Sequence, residues 1–414
     1  MIVSRADFGD AVGSNLIGWI LTVPTGYDGD SLQFEIQMLQ PLMRSQLREE
    51  WSVKTIVTFG EIMARMAPDG VLRLSQTLPG SLNVTFAGAE ANVAASLAML
   101  GHSVRFVTAM PANNPLTDAC IVNLRGLGID TSRVRLLPQG RFGIYFVETG
   151  ANQRPGRVTY DRHYSTISLA SPDDFDWTSI FADAHRLHLT GITPALSQAA
   201  AETTLEAARQ AKAAGVQISC DINFRAKLWR WKPDRTPTQL AAETMQKIVP
   251  MVDLLMASAE DMDLLGVDVK GVPAFESDPI NHHKQLTQRV LNAYSNISML
   301  STTWRESISA SHNNWGALLF EASSQTSVFA PMRDGQFRPY EIRSIVDRVG
   351  GGDAHVAGLL FALDNPTFKT LQQKLEFATA ASCLAHSVVG DFNFALQAEI
   401  EELMMGSENG RVIR

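Results

Sequence analysis

The stretch Asp347-Arg348-Val349-Gly350-Gly351-Gly352-Asp353-Ala354-His355 leads directly into the apolar run 356–363, which predicts a helix. Three glycines at the start of a helix let the backbone approach a phosphate closely, while free amides and the helix dipole stabilise its charge. We therefore interpret Gly350, Gly351 and Gly352 as an anion hole. Asp353 stands where a carboxylate can accept the proton of an attacking hydroxyl group. Taken alone, the segment is explained more simply by a flexible loop and an aspartate that caps the helix.

Upstream of this stretch, the chain alternates between predicted strands and predicted helices. Buried strands are predicted at 56–59, 104–107, 186–189, 216–219, 253–256 and 297–300, and helices at 90–100, 116–127 and 197–214. Such alternation favours a parallel sheet covered by helices on both faces. Ligands are then expected outside the carboxyl ends of the strands.

One segment departs from this alternation. Residues 143–148 and 157–162 are two alternating stretches joined by a polar turn that contains Gly150 and Pro155. This pattern predicts a β-hairpin. A lid over a binding site and an ordinary extension of the sheet edge explain the hairpin equally well.

A second turn of small residues precedes the first predicted helix, at Phe86-Ala87-Gly88-Ala89-Glu90-Ala91-Asn92-Val93-Ala94. Together with Asp-x-Val-Gly-Gly-Gly-Asp-Ala, it resembles the ribokinase, or phosphofructokinase-B-like, family of carbohydrate kinases over residues 54–405. The resemblance implies an α/β fold, a ribokinase-like three-layer sandwich with a central, mostly parallel sheet and a small β lid. The expected kinase domain spans residues 53–405, with lid strands around 71–87 and 140–165, between an extension at 1–52 and a tail at 406–414.

Further segments resemble the 2-keto-3-deoxygluconate kinase branch of that family, namely 158–162, 220–225 with Leu228-Trp229, and Gly390-Asp391-Phe392-Asn393. This resemblance implies ATP-dependent phosphorylation of 2-keto-3-deoxygluconate to 2-keto-3-deoxy-6-phosphogluconate, with Asp353 as the catalytic base. Two residues depart from the family pattern. Gly351 stands where alanine is usual, and His355 where phenylalanine is frequent.

The same resemblance implies the substrate-binding residues. Gly88 and Asn92 are expected to bind sugar hydroxyls, and Tyr145 and Tyr160 to line the pocket. Arg162 and Arg225 are expected to face the substrate carboxylate, which the fork of an arginine suits. Taken singly, Arg162 is also explained as a solvated hairpin residue, and Arg225 as part of a structural salt bridge.

The nucleotide side differs more from the family. Many members carry a Lys-x-Gly-x-x-Gly segment, which residues 302–307 (Thr-Thr-Trp-Arg-Glu-Ser) replace here. The resemblance implies that Ser258 and Arg305 contact ATP and that Asp261 helps to organise Mg²⁺. A surface ion pair between Arg305 and Glu306, and a helix-starting role for Asp261, are the competing interpretations.

Composition and missing motifs exclude several other classes. The net charge of −8 disfavours sequence-independent nucleic-acid binding. Three widely separated cysteines, without metal-ligand spacing, favour neither a disulfide framework nor a zinc site. No Gly-x-x-x-x-Gly-Lys-Ser/Thr sequence is present for a P-loop, and the first strand leads into Gly60-Glu61-Ile62-Met63 instead of a dinucleotide-binding turn.

No apolar run is long enough to predict a membrane span, and the run 16–23 has no basic flank of the kind found in a signal peptide. A cytoplasmic protein is therefore expected. Residues 1–52 show no clear periodicity and are interpreted as a flexible extension or as sequence before a later start codon. The resemblance leaves open a homo-oligomer built through the hairpin lids. Two other functions remain: a kinase for another sugar such as fructose, and a catalytically silent sugar-binding protein.

Overall fold

The computed structural model describes residues 55–273 and 278–406, together with the backbone of two strands near the amino terminus. The chain divides into two compact units, Met1–Val53 and Lys54–Arg414. In the first unit, β1 (Ile2–Ala6) pairs antiparallel with β2 (Gly18–Thr22). The sequence did not predict this pair, because each strand is only five residues long and shows little periodicity. The rest of the predicted extension and tail residues 407–414 lie outside the described residues.

A nine-stranded sheet forms the centre of the second unit, in the order β16-β15-β14-β13-β12-β11-β3-β6, with β19 beside β15. Its strands are β3 (Thr55–Phe59), β6 (Val104–Val107), β11 (Ala184–Thr190), β12 (Gln217–Asp221), β13 (Leu254–Met256), β14 (Met299–Ser309), β15 (His312–Glu321), β16 (Thr326–Ala330) and β19 (Tyr340–Ile342). All neighbours from β14 to β6 are parallel, whereas β15 pairs antiparallel with β14, β16 and β19.

Helices cover both faces of this sheet. The longer ones are α2 (Ala89–Met99), α3 (Pro115–Gly126), α6 (Gln198–Ala213), α7 (Pro237–Ile248), α8 (Pro279–Ala293), α9 (Gly351–Asp364), α10 (Leu371–Ala385) and α11 (Gln397–Met404). The described residues also form three short α-helices, α1 (Leu74–Thr77), α4 (Thr166–Leu169) and α5 (Trp177–Phe181). None of the helices in the described part of the chain combines the length and apolar character needed to cross a lipid bilayer.

Neighbouring residues of one strand show the three layers. Ile56 and Val57 are both fully buried, yet they belong to different apolar cores. Val57 lies in the core that contains Ala207 of α6 and Leu240 of α7, and Ile56 in the core that contains Leu359 of α9. Successive strand residues point to opposite faces, so both faces of the sheet are covered. The predicted three-layer α/β fold is confirmed.

Side chains define the starts of several helices. Asn114 Oδ1 accepts a hydrogen bond from Leu116 N at 2.9 Å at the start of α3, and Ser197 Oγ accepts one from Ala200 N at 2.9 Å at the start of α6. Such caps satisfy amides that have no partner within the helix, and each contributes about 1 kcal/mol. The helix predicted at 197–214 accordingly begins at Gln198 and ends at Ala213.

A separate four-stranded sheet contains the predicted hairpin. Its strands are β4 (Met63–Ala67), β5 (Asn83–Ala87), β9 (Gly143–Glu148) and β10 (Arg157–Asp161), in the order β10-β9-β4-β5. The hairpin strands β9 and β10 are antiparallel, with Tyr145 opposite Tyr160, and β9 pairs parallel with β4. We call these four strands the lid sheet. Two small pairs remain, β7 (Ala109–Pro111) with β8 (Arg135–Leu137) and β17 (Met332–Arg333) with β18 (Gln336–Phe337).

Candidate active site

A cavity of about 770 Å³ lies between the lid sheet, the carboxyl ends of the parallel strands and the start of α9. All the predicted site residues line it: Gly88, Asn92, Tyr145, Tyr160, Arg162, Arg225, Ser258, Asp261, Arg305, Gly350, Gly351, Gly352 and Asp353. The structure thus brings together residues that are up to 265 positions apart in the chain, between Gly88 and Asp353. Their individual roles stay predictions.

The glycine stretch forms the start of α9. Gly350 is the residue before the helix and has a left-handed φ of 89°. A Cβ atom there would lie 2.2 Å from the backbone oxygen of Asp391, so glycine is needed for both conformation and space. A Cβ on Gly352 would meet no atom within 4 Å. The first helical amides have no partner within the helix, so they are available to an anion in the cavity.

Asp353 lies in the first turn of α9 and is 9% exposed. Asn92 Nδ2 donates a hydrogen bond to Asp353 Oδ2 at 2.6 Å, and Asn92 Oδ1 accepts one from Gly88 N at 3.1 Å. Burial raises the pKa of Asp353 to about 6, although the Asn92 hydrogen bond and the charge of Arg225 oppose the rise. A carboxylate with a pKa just below neutral is ionised at pH 7 and can still take up a proton.

Arg162 is buried at the lid and forms an ion pair with Glu61. Its Nε donates to Glu61 Oε2 at 2.6 Å, and its Nη2 contacts the same oxygen. The guanidinium also lies over the ring of Tyr160, 5.3 Å from the ring centre. Glu61 Oε1 is buried and has no hydrogen-bond partner among the described atoms. Glu61 therefore neutralises the charge of Arg162 on the lid side of the cavity, and its free oxygen can accept a hydrogen bond from a ligand hydroxyl.

Arg225 follows β12 and is exposed. Its Nη1 donates to the backbone oxygen of Phe224 at 3.1 Å, and no described carboxylate lies within ion-pair distance of it. Arg225 lines the cavity, and its charge lowers the pKa values of Asp221 and Asp353, against the effect of their burial. Of the two predicted arginines, Arg225 is thus the one whose charge is available to an anionic ligand.

Two further carboxylates lie near Asp353. Burial, followed by the charges of Asp261 and Asp353, raises the pKa of Asp221 to about 8. Asp261 Oδ2 accepts hydrogen bonds from Ser258 N and Ser258 Oγ, both at 2.7 Å. Excess negative charge from oxygen donors that face one cavity fits a hard divalent cation such as Mg²⁺.

A buried ionic network joins the lid sheet to the glycine stretch. Arg65 of β4 is 3% exposed and contacts both Asp347 and Asp391, while Tyr145 Oη donates to Asp391 Oδ2 at 2.7 Å. Asp347 Oδ1 in turn accepts hydrogen bonds from the amides of residues 348 and 349, at 2.8 Å and 3.2 Å. We call Arg65, Tyr145, Asp347 and Asp391 the lid network. It positions the backbone that leads into the anion hole.

Two arginines lie on the phosphate side of the cavity. Arg348 Nη2 donates to the backbone oxygen of Ser309 at 2.9 Å and to Asn313 Oδ1 at 2.6 Å. Arg305 lines the cavity as well, and burial, together with the charge of Arg305, lowers the pKa of Arg348. Glu306 Oε2 accepts a hydrogen bond from Asn314 Nδ2 at 2.7 Å, and no Arg305–Glu306 ion pair is found among the described residues. Arg305 and Arg348 therefore supply positive charge on this side of the cavity.

The comparisons with known proteins agree with this geometry. Residues 53–292 match the sequence profile of the pfkB family carbohydrate kinases. The chain belongs to the pfkB family of carbohydrate kinases. Such a kinase transfers a phosphoryl group from ATP to a sugar hydroxyl, which suits a cavity that holds an anion hole and a buried carboxylate side by side.

Three known proteins are similar to this kinase over most of its length. It is 29% identical over 355 residues to the 2-dehydro-3-deoxygalactonokinase of Haloferax volcanii, covering 86% of this chain and 98% of that protein. It is 28% identical over 345 residues to the 2-dehydro-3-deoxygluconokinase of Thermoproteus tenax, covering 81% and 91%. The crystal structure of the 2-dehydro-3-deoxygluconokinase of Thermotoga maritima superimposes with a TM-score of 0.75 and 40% identity, covering 85% of this kinase and 100% of that chain.

Sequence reasoning assigned no role to several residues in or next to the cavity of this kinase. Glu61 and Arg65 belong to no motif, and Asp221, Asp347, Arg348 and Asp391 stood in quoted segments without an assigned role. Arg65 does not line the cavity but contacts Asp347 and Asp391, which do. A partial signal was present for Arg65, because an arginine inside the short strand Met-Ala-Arg-Met-Ala is costly to bury without a partner. Its partners lie 282 and 326 residues away, so only the fold identifies them.

Proposed function

We propose that this kinase phosphorylates 2-keto-3-deoxygluconate with ATP, giving 2-keto-3-deoxy-6-phosphogluconate. The observation that carries the proposal is Arg225, which lines the same cavity as Asp353 and has no carboxylate partner among the described residues. A guanidinium placed there suits a substrate with one carboxylate and a terminal hydroxyl. The similarity to two kinases named for 2-dehydro-3-deoxy sugars supports the same substrate class.

The chemistry follows from the residues at the start of α9. Asp353 takes the proton of the terminal hydroxyl, whose oxygen attacks the γ-phosphorus in line while the bond to the β–γ bridging oxygen breaks and ADP leaves. The amides of Gly351, Gly352 and Asp353 stabilise the charge on the transferred phosphoryl group. Gly88 and Asn92 hold the sugar, and the hydrogen bond from Asn92 also orients the Asp353 carboxylate. The lid sheet, with Tyr145 and Tyr160 facing the cavity, excludes water and limits hydrolysis of ATP.

The nucleotide lies on the side of Arg305 and Arg348, near Ser258. Asp261 and Asp221 are the carboxylates that would hold Mg²⁺, which neutralises phosphate charge when it is bound. The raised pKa of Asp221 describes the site in the absence of that charge, and a bound cation would favour the ionised form. A cytoplasmic location remains a prediction.

Substrate choice is tested by ADP release from the purified kinase with ATP and Mg²⁺. We expect turnover with 2-keto-3-deoxygluconate and little with gluconate, fructose or ribose, because only the ketodeoxy acid combines the carboxylate with the expected shape. The 2-keto-3-deoxygalactonate epimer belongs in the panel, since one relative is named for it. Preference for that epimer would correct the stereochemistry, and turnover with a neutral sugar alone would refute the sugar-acid proposal.

The Arg225→Met variant sharpens this test. We expect its KM for the sugar acid to rise roughly 10- to 150-fold, the equivalent of about 1.5–3 kcal/mol for a lost charged hydrogen bond. The matched control is Arg209→Met, which removes an arginine exposed on α6 outside the cavity and should leave KM unchanged. An unchanged KM in Arg225→Met would mean that this arginine does not bind the carboxylate.

The pH dependence of the reaction tests the role of Asp353. Its pKa is raised to about 6, so the protonated, inactive form accumulates as the pH falls through that value. We expect kcat/KM to fall about tenfold for each pH unit below about 6 and to level off above it. The unfolding midpoint over the same range controls for acid denaturation. A flat profile down to about pH 5 would contradict a base with this pKa.

A further inference from the structure

Two histidines and an aspartate meet at the end of the central sheet opposite the cavity. His102 lies in the turn before β6, His185 is the second residue of β11, and Asp364 is the last residue of α9. One side-chain ligand atom from each lies within 4.8 Å of the other two. Asp353 lies near the opposite end of α9, which is about 20 Å long for its 14 residues. The cluster therefore takes no part in the chemistry at the cavity.

Both imidazoles direct the same nitrogen at one oxygen. His102 Nε2 lies 3.1 Å from Asp364 Oδ2, and His185 Nε2 lies 2.6 Å from it. The rings are stacked, with their centres 5.9 Å apart and an angle of 17° between their planes. The three donor atoms converge on a volume of the size of a single ion.

Backbone carbonyls determine the tautomer of both rings. His102 Nδ1 lies 3.1 Å from the backbone oxygen of Ser103, and His185 Nδ1 lies 3.2 Å from that of Thr55. A carbonyl oxygen only accepts, so Nδ1 must carry the hydrogen in each ring. In a neutral imidazole, Nε2 then has a lone pair, and both lone pairs face the Asp364 carboxylate. With both rings neutral, two imidazole lone pairs and a carboxylate thus converge and present a cation with three ligand atoms, whereas a protonated ring would donate its Nε2–H to Asp364.

The surroundings match those of ligands that are oriented for a metal. A histidine that binds a metal commonly donates its other ring N–H to a carbonyl, and a ligating carboxylate is itself held by a further group. Here Arg186 Nη2 lies 3.6 Å from the second oxygen of Asp364.

We propose that His102, His185 and Asp364 bind one divalent transition-metal ion. Two imidazole nitrogens and one carboxylate oxygen form a donor set that zinc accepts, and its fourth position is left to water. The side chains of His185 and Asp364 are 16% and 20% exposed, so an ion can enter from solvent. The ion would join three segments that are distant in the chain, connecting the start of the sheet to the end of α9.

Metal binding is measured on tag-free kinase that has been dialysed against a chelator and then titrated with Zn²⁺. Excess Mg²⁺ in the buffer occupies the carboxylates of the cavity, where oxygen ligands prefer the harder ion. We expect about one zinc ion bound per chain and a higher unfolding temperature with zinc than with chelator. Absence of zinc binding by the wild-type kinase would overturn the proposal.

Variants then locate the ion. His102→Gln and Asp364→Asn should each weaken zinc binding by roughly 100-fold or more. Loss of a group that only orients a ligand lowers metal affinity by about 10- to 100-fold. The matched control, His163→Gln, replaces an exposed histidine of the lid region and should bind zinc like the wild type. Wild-type affinity in both cluster variants would show that zinc binds elsewhere, and would refute the site.

A crystallographic measurement decides the question even if the variants do not fold. Crystals of the wild-type kinase grown with zinc should show an anomalous peak at the zinc edge between His102, His185 and Asp364. A peak only at other positions would refute the proposal. Bound Co²⁺ offers a second signature, since a four-coordinate site gives strong visible absorption that a proton shared between the same residues cannot produce.

Discussion

The Asp353→Asn variant is expected to lose about 10²–10⁴-fold in kcat, the usual contribution of a positioned general base. Asparagine keeps the shape of the side chain but cannot accept the proton of the sugar hydroxyl. The anion hole is made of backbone amides, so it is retained in the variant, and sugar binding should change much less than turnover. Steady-state ADP release gives kcat, and calorimetric titration with the sugar acid gives the affinity.

A matched control separates chemistry from the general effect of removing a charge. Asp173 is exposed in the short turn after α4 and lies outside the cavity, so Asp173→Asn should leave kcat unchanged. If Asp353→Asn retained kcat within about tenfold of the wild type, the assignment of Asp353 as the base would be wrong. Binding of the sugar without any consumption of ATP by the wild type would instead favour a silent sugar-binding protein.

The second large effect is on stability and comes from the lid network. Replacing Arg65 by methionine leaves Asp347 and Asp391 buried next to each other without their cation. Removing one partner of a buried ion pair costs about 3–5 kcal/mol in the free energy of unfolding. Burial already raises the pKa of Asp391, so the loss should shrink as the pH is lowered and this carboxyl takes up a proton. Chemical denaturation of Arg65→Met measures the loss.

Neutralising the orphaned carboxylates tests the cause. We expect the triple variant Arg65→Met, Asp347→Asn, Asp391→Asn to recover much of the lost stability, because no unpaired buried charge remains. The control is Arg343→Met, which removes an exposed partner of Glu341 and should change the free energy of unfolding little. If the single and triple variants lost the same free energy of unfolding, the loss would come from packing and not from unpaired charge.

The lid network also links stability to function. Asp347 holds the amides that lead into Gly350, and Tyr145 and Arg65 belong to the lid sheet, so the two walls of the cavity share one buried charge cluster. In the triple variant, asparagine at position 347 retains a hydrogen-bond acceptor for those amides. Turnover in that variant therefore reports how far the anion hole depends on the ionic part of the network.

Much of the fold could be predicted from local pattern. The alternation of strand-like and helix-like segments gave the three-layer arrangement, and the hairpin at 143–162 was visible as two alternating stretches around a polar turn. The pairing of the hairpin with β4 and β5 was not visible in the same way, because nothing local in residues 63–67 or 83–87 names a partner strand. The strands β1 and β2 were missed, since neither Ile-Val-Ser-Arg-Ala nor Gly-Trp-Ile-Leu-Thr alternates between apolar and polar residues.

The candidate site, too, could be predicted only in part from the sequence. The sequence by itself determined the glycine stretch, the carboxylate that follows it and the family resemblance, because helix starts and phosphate-binding turns are local and depend on neighbouring residues. Only the tertiary structure decided which charged side chains are paired with each other and which can contact a ligand. It pairs Arg162 with Glu61, leaves Arg225 facing the cavity, joins Arg65 to two aspartates and brings His102 and His185 to Asp364. Ion pairing depends on distances of a few ångströms between residues far apart in the chain, and those distances exist only once the sheet and its helices have packed.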